Sequence, residues 1–398
     1  MRTRSLTKIA VIGVAGVLAL SACSNSKKGT SGGLNNGGAS SGNSGNKTYK
    51  IAFQGPLSGD NQQLGINEVN AVVLAVKQAN DKGDLGFKLE LFKSDDVGLA
   101  DKAPAAAAAI LQDPAIIGVI GPSFSGATKA VGKTYADSGM AVISPSATNG
   151  TLTSLGFTTF HRIVPPDSVE GQQVADWMAK KAKKVYIVDD LSDYGKGVAD
   201  DVQKELKSKA ITVVRQGVDA KTTDYGAIAQ AVKSSGSQAV FYAGYDAQAA
   251  LFARSLKSAG YPGLKVTGNG GKSTVFTKGA GDAGNGWYFS CGCLDATVAP
   301  EAKEFETAYK AMFNQASSTY SPEAFDAANA MISVIKAAVA KGDVSRKAIE
   351  AGVNSVNFKG ITTTIQFQPN GEVQISVINL YLQKDGGIIK LGDMKKQS

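Results

Sequence analysis

Two short segments of the chain combine residue types that can hold a small anion without breaking any bond. Gly121-Pro-Ser-Phe-Ser-Gly126 follows the apolar run Ile116–Ile120 and precedes a stretch of helical character. A Gly/Ser-rich turn between a strand and a helix presents free backbone N–H groups and the positive end of a helix dipole. Ser144-Pro-Ser-Ala-Thr148 closes a second apolar run in the same way. In open α/β sheets ligands sit outside the carboxyl ends of the strands, where such turns lie. Ser146 and Thr148 have a second possible use, capping a helix that begins near Asn149.

Residues for bond-breaking chemistry are sparse. His161 is the single histidine, so a serine hydrolase would need it to reach Ser123 or Ser125 and to be oriented by an acid. Gly271-Lys-Ser273 lacks the glycine that a phosphate loop requires, because residue 266 is Val. Asp189, Asp190 and Asp193 lack the alternating oxygen ligands of a calcium loop. Three cysteines and one histidine leave little for zinc. No catalytic residue, metal ligand or cofactor motif follows.

The elements that must position the two turns are read from periodicity. Strands are predicted at 49–54, 88–92, 116–120, 141–144, 185–188, 212–215, 239–243 and 264–267, and helices at 66–80, 102–111, 125–137, 195–208, 225–234 and 247–259. Repeated strand–helix–strand units imply parallel sheets covered by helices on both faces. Two such successions, parted near 160–171, imply two doubly wound α/β lobes. The tail departs from the alternation: helices are predicted at 300–315 and 322–340, then a hairpin of 361–367 and 373–382 around Pro369-Asn-Gly371. Late helices returning to the first lobe make a hinge of several crossovers with a cleft between the lobes.

Length and charge agree with that division. The chain has 398 residues, 43% of them hydrophobic and 19% charged, with a net charge of +8. Seven basic residues and no acid lie within 1–50, which leaves 35 basic against 34 acidic residues in 51–398. A basic groove for a nucleic-acid backbone is therefore absent from the expectation. Arg2, Arg4 and Lys8 followed by the apolar run 9–20 have the form of a signal peptide, too short for a membrane span. The run ends in Leu20-Ser-Ala-Cys23, which resembles the bacterial lipobox, so Cys23 is expected to be acylated and to become the first mature residue. Ser24–Asn46 is Gly/Ser/Asn-rich, with almost nothing to bury, and is expected to be a tether of about 25 Å r.m.s. reach. The expected division is signal peptide 1–22, lipidated tether 23–47, lobe one 48–165 with 296–374, and lobe two 166–295 with 375–398.

Six segments in order resemble the leucine/isoleucine/valine-type solute-binding proteins of ATP-driven (ABC) importers, over nearly all of 48–398. They are Ile51–Gly59 with Gly65, Val119–Ser125, Ser144–Thr148, Phe160–Asp167 ending at Gly171, Asp193–Gly197, and Ala324–Ala327. The resemblance implies the type I periplasmic-binding-protein fold and a ligand, a branched-chain amino acid or a related carboxylate or amide, held between the lobes. It also implies partners in permease and ATPase subunits, a location outside the cytoplasm at the cell membrane, a monomeric state and no catalysis. By residue it implies that Ser125, Ser146, Ala147 and Thr148 hold a carboxylate. Tyr194 closes on the ligand, Phe124 lines its side-chain pocket, and Tyr245 and Tyr320 face the same region. A sensory lipoprotein on the same fold is the alternative, with an extracytoplasmic hydrolase behind it.

One position departs from the family. Relatives that take α-amino acids carry an acid where Gly270 stands, and an ammonium buried without a partner costs several kcal/mol. Either Asp246 takes over, or the ligand has no charged amine; Asp246 also suits a helix N-terminus. Outside the cytoplasm Cys291-Gly-Cys293 forms a local disulfide or a pair of free thiols.

Overall fold

The computed structural model describes residues 47–374 and 377–398; the signal sequence, Cys23 and most of the tether lie outside the described residues. Within it the first succession runs β1 (Thr48–Gly55), α1 (Gln62–Lys82), β2 (Lys88–Asp95), α2 (Ala103–Gln112), β3 (Ile116–Ile120), α3 (Ser125–Asp137), β4 (Val142–Ser144) and β5 (Phe160–Arg162). These strands form one parallel sheet in the order β2-β1-β3-β4-β5. Every residue of β3 is buried, as expected for a central strand packed on both faces.

The second succession runs α4 (Asp167–Ala179), β6 (Lys184–Asp189), α5 (Asp193–Ser208), β7 (Thr212–Gly217), α6 (Gly226–Ser234), β8 (Ala239–Ala243), α7 (Asp246–Ala259), β9 (Leu264–Thr267), α8 (Thr274–Ala280) and β10 (Trp287–Cys291). Then follow α9 (Lys303–Phe313), α10 (Ser321–Lys341), α11 (Arg346–Asn354), the short pair β11 (Phe358–Lys359) and β12 (Thr364–Ile365), β13 (Asn379–Lys384) and β14 (Gly387–Asp393). The second sheet has the order β14-β13-β10-β9-β8-β6-β7. Its last two strands run antiparallel, so one edge of this sheet departs from the all-parallel expectation.

The late helices return to the first sheet. Phe305 and Tyr309 of α9, Ala327, Met331 and Ile335 of α10, and Ile349 and Val353 of α11 share one core with Ile51 and Phe53 of β1 and Val69 and Val72 of α1. The predicted hairpin is corrected. Phe367 and Val373 make only a single antiparallel bridge, while β13 pairs with β10 and β14 in the other sheet. Of the two predicted runs, 361–367 holds only the two-residue β12, and among the described residues 373–382 becomes strand only from Asn379, whose partners lie across a lobe crossover that local pattern cannot reveal.

The chain passes between the sheets after β5, after β10 and before β13, and the passages pack on one another. Gly292 lies so close to Pro165 that an added Cβ would stand 2.2 Å from Pro165 Cγ. Beside it Cys291 and Cys293 are joined by a disulfide and fully buried, which resolves the alternative left by the sequence. No helix among the described residues is long and apolar enough to cross a membrane.

Candidate functional site

A narrow cavity of about 10 Å³ lies where the carboxyl ends of both sheets face each other. Leu64, Glu68, Ser123, Phe124, Ser125 and Ser146 border it from the first lobe, with Tyr320 from the turn before α10. Tyr194, Tyr245, Asn269 and Gly270 border it from the second. All but Tyr320 come from the loop or helix that follows β1, β3, β4, β6, β8 or β9, which is where doubly wound sheets place ligands.

The first-lobe wall is a chain of hydroxyls. Ser146 Oγ donates to Ser123 O at 2.7 Å, and Ser123 Oγ donates to Glu68 Oε2 at 2.6 Å. Ser125 heads α3, and its hydroxyl accepts the Asn149 N–H at 3.2 Å, which leaves its own hydrogen uncommitted in that bond. Behind the Ser144–Asn149 turn lies Arg162, fully buried. Its Nη1 donates to Ala147 O at 3.0 Å and Asn149 O at 2.8 Å, and its Nε and Nη2 grip the Glu372 carboxylate at 2.9 and 2.5 Å. The turn therefore directs carbonyls inward to a guanidinium. The helix expected near Asn149 is only a single turn, Leu152–Ser154, so Ser146 and Thr148 do not cap it.

Rings make the second-lobe wall. Tyr194, in the first turn of α5, accepts the Gly270 N–H on its hydroxyl at 3.0 Å. Tyr245 stacks on Phe124 across the cleft at 4.2 Å between centroids and 13° between planes, and Tyr194 leans on Tyr245 at 5.2 Å. Tyr320 holds a left-handed backbone with φ of 67°, a costly conformation for a residue with a Cβ, and places its ring in the same space. Lys129 and Asp193 close one rim at 2.7 Å, and Asn149 Nδ2 donates to Asp193 O at 2.6 Å.

Behind this wall sits a buried carboxylate instead of a guanidinium. Glu170 Oε1 accepts from Asn269 N–H at 3.1 Å and from Ser290 Oγ at 2.6 Å, and its Oε2 accepts from the Asn269 side chain. Burial pushes Glu170 up to about 7 against the pull of those donors. Glu68 is raised further, to about 8, chiefly by burial; Ser123 and Ser146 act in the opposite direction, and Asp96 and Glu323 add repulsion. Burial likewise raises the phenols of Tyr194, Tyr245 and Tyr320 well above their usual range.

The expected residues divide accordingly. Phe124, Ser125, Ser146, Tyr194, Tyr245, Gly270 and Tyr320 come together around the cavity. Ala147 and Thr148 are buried next to it without bordering it; the Thr148 carbonyl accepts the Asp167 N–H at 2.8 Å. Asp246 is corrected. It is the first residue of α7 and bonds the Ala247 N–H at 2.9 Å, so its carboxylate serves the helix terminus and does not border the cavity. Leu64, Glu68 and Asn269 were missed as lining residues, and Ser123, although part of the expected Gly121–Gly126 turn, was not among the expected ligand contacts. Glu68 had a legible signal: it lies one turn after Leu64 and one before Val72, an acid on the buried stripe of α1.

The model of the family of periplasmic binding proteins matches residues 48–386 of this chain. The chain belongs to the periplasmic binding protein family. A Leu/Ile/Val-binding protein of Rhizobium johnstonii is 30% identical over 347 residues, covering 85% of this chain and 92% of that protein. Among solved structures of the fold, the branched-chain amino acid transporter substrate-binding protein LivJ of Streptococcus pneumoniae, in complex with isoleucine, aligns with a TM-score of 0.78 at 25% identity. The alignment covers 86% of this chain and all of that one. A solute-binding protein of an ABC transporter from R. palustris, in complex with benzoate, reaches the same TM-score at 19% identity, covering 87% and 96%. The family accounts for the two lobes, the crossovers and the late helices returning to lobe one. It places the chain among proteins that work outside the cytoplasm.

Proposed function

We propose that this protein is a lipid-anchored extracytoplasmic solute-binding protein. It captures a small polar ligand, a branched-chain amino acid or a related carboxylate or amide, and delivers it to the permease and ATPase subunits of an ABC importer. The observation that carries this reading is the cavity itself: a small, buried space whose walls come from two lobes joined only by crossovers. Lobe one comprises 48–165 with 296–374, and lobe two 166–295 with 375–398. Ser125, the Tyr194 hydroxyl and the N–H groups opening α3 meet the ligand's carboxylate, with Ser146 bordering them, while Phe124, Tyr245 and Tyr320 enclose its body. Ala147 and Thr148 support the turn from behind. Open and closed forms interconvert, and contacts from both walls favour the closed one. The ligand leaves unchanged. Acylated Cys23 and the tether keep the monomer at the membrane while the lobes visit the permease.

A thermal-shift screen of the purified protein tests this, with branched-chain and other amino acids, short carboxylates, amides and aromatics as ligands. A ligand present well above its dissociation constant is expected to raise the melting temperature by several degrees. Failure of every class to do so, or chemical conversion of the ligand recovered from the complex, would overturn the assignment. Replacing Cys23 by Ser is expected to release the protein from membranes into the soluble fraction.

A further inference from the structure

The hydrogen-bonding groups around the cavity are unequal in kind. On the donor side, Ser125 and Tyr194 use their hydroxyl oxygens as acceptors for Asn149 N–H and Gly270 N–H, so the hydrogen of each is available to a ligand. The opening turn of α3 adds backbone N–H groups and the positive end of its dipole. On the acceptor side, the carbonyls of Ala147 and Asn149 are turned away onto Arg162, and Ser123 O is taken by Ser146. At Gly270 no acid can be accommodated. An added Cβ would stand 2.6 Å from Tyr194 Cε1 and 2.9 Å from Gly244 O, because the tyrosine ring fills the place a side chain would need.

Glu68 is the one carboxyl group bordering the cavity among the described residues. Its Oε2 accepts from Ser123, and its Oε1 is buried without a hydrogen-bond partner. Around it stand Asp96 from the loop after β2, Glu323 from the first turn of α10, and the Tyr320 phenol. The buried cations nearby are engaged elsewhere, Arg162 by Glu372 and Lys272 by Thr319 Oγ1 and the Tyr381 ring. Burial, with the acidic neighbours adding to it, raises Glu68 to about 8 and so favours its neutral form near neutral pH, in which the orphaned oxygen can carry a proton to donate.

We propose that the cavity takes a small carboxylate with an apolar body and no ammonium group, and that Glu68 selects it by donating a hydrogen bond. The proposal rests on the solute-binding reading above and narrows its ligand class. Donors from Ser125, Tyr194, α3 and Glu68 surround one anionic head, and the stacked Phe124 and Tyr245 rings bound the apolar remainder. An α-ammonium would face the same donors and could pair only with an ionised Glu68, a form that burial disfavours.

Calorimetry with matched probes tests the choice: isocaproate against leucine, and hydrocinnamate against phenylalanine, from about pH 6 to about pH 9. At least one amine-free acid is expected to bind about tenfold or more tighter than its amino acid. Its affinity should stay level in mild acid and fall by up to about tenfold per pH unit once pH exceeds the Glu68 value of about 8. Glu68→Gln, which carries a permanent donor, is expected to keep the affinity and lose the pH dependence. Tighter binding of the amino acids to the wild-type protein overturns the inference. So does loss of binding in a Glu68→Gln protein that melts like the wild type. If another class from the wider screen binds while these acids do not, only this inference fails. If nothing in that screen binds, the solute-binding assignment falls with it.

Discussion

The two walls of the cavity are built on opposite electrostatic plans. In lobe one a buried guanidinium, Arg162, draws in the carbonyls of the β4 turn, so hydroxyls and N–H groups are what remain for the cavity. In lobe two a buried carboxyl group, Glu170, draws in the Asn269 N–H and side-chain amide, and the cavity face is left to aromatic rings. The first wall therefore supplies most of the donors for a charged head, and the second, apart from the Tyr194 hydroxyl, most of the rings that fit a body. The difference teaches that the polarity of each face is set one layer behind it, by the sign of the group that secures the turn.

The most damaging way to break this plan is Arg162→Ala. It strands the Glu372 carboxylate and two buried carbonyls, and urea denaturation is expected to show a loss of about 3–5 kcal/mol, the range for removing one partner of a buried ion pair. Glu170→Ala, the matching change behind the other wall, leaves neutral donors unpaired instead of a charge. The same measurement should give a smaller loss of about 1–3 kcal/mol. Equal losses would mean that the two securing groups are not different in kind.

Stability against pH sharpens the comparison further. Burial raises Glu68 and Glu323 to about 8 and Glu170 to about 7 in the folded protein. A carboxyl whose folded pKa is raised contributes stability that is complete below its unfolded value of about 4.3 and is lost as pH climbs through the folded one. Asp113 has the opposite sign: its bond from Lys50 lowers it, so its contribution fades as pH falls below the usual aspartate range. The ligand-free protein is expected to melt highest near about pH 5 and progressively lower toward about pH 8. A melting temperature that climbs across that interval would show that these acids are ionised in the folded state. The smallest effect belongs to the rim. Lys129 and Asp193 are substantially exposed, so Lys129→Ala should change stability and ligand affinity by less than about 1 kcal/mol, and by less again in high salt.

Strand–turn–helix units were legible because their signals are local. Ile116–Ile120, Ala239–Ala243 and Leu264–Thr267 form strands with the expected bounds, and Ser125–Asp137 forms the expected helix. Ser125, Ser146, Tyr194 and Tyr245 were legible for the same reason: they follow strands, and a doubly wound sheet gathers the ends of its strands. Shorter or less periodic elements, such as α4, α8 and α11, escaped notice. So did β14, whose pairing depends on a strand that arrives from another lobe.

The amino-acid sequence alone determined the two-lobed α/β plan, because apolar periodicity and turn residues act within a few residues of where they stand. Only the tertiary structure decided which acid faces the cavity. On paper Asp246 follows a strand and Glu68 lies within an ordinary helix. In the fold Asp246 turns onto the N-terminus of its own helix, while α1 packs so that Glu68 is enclosed against Ser123. Which way a carboxylate points depends on the packing angle of its helix against the sheet and on donors brought from distant segments. Neither is encoded in the spacing of neighbouring residues.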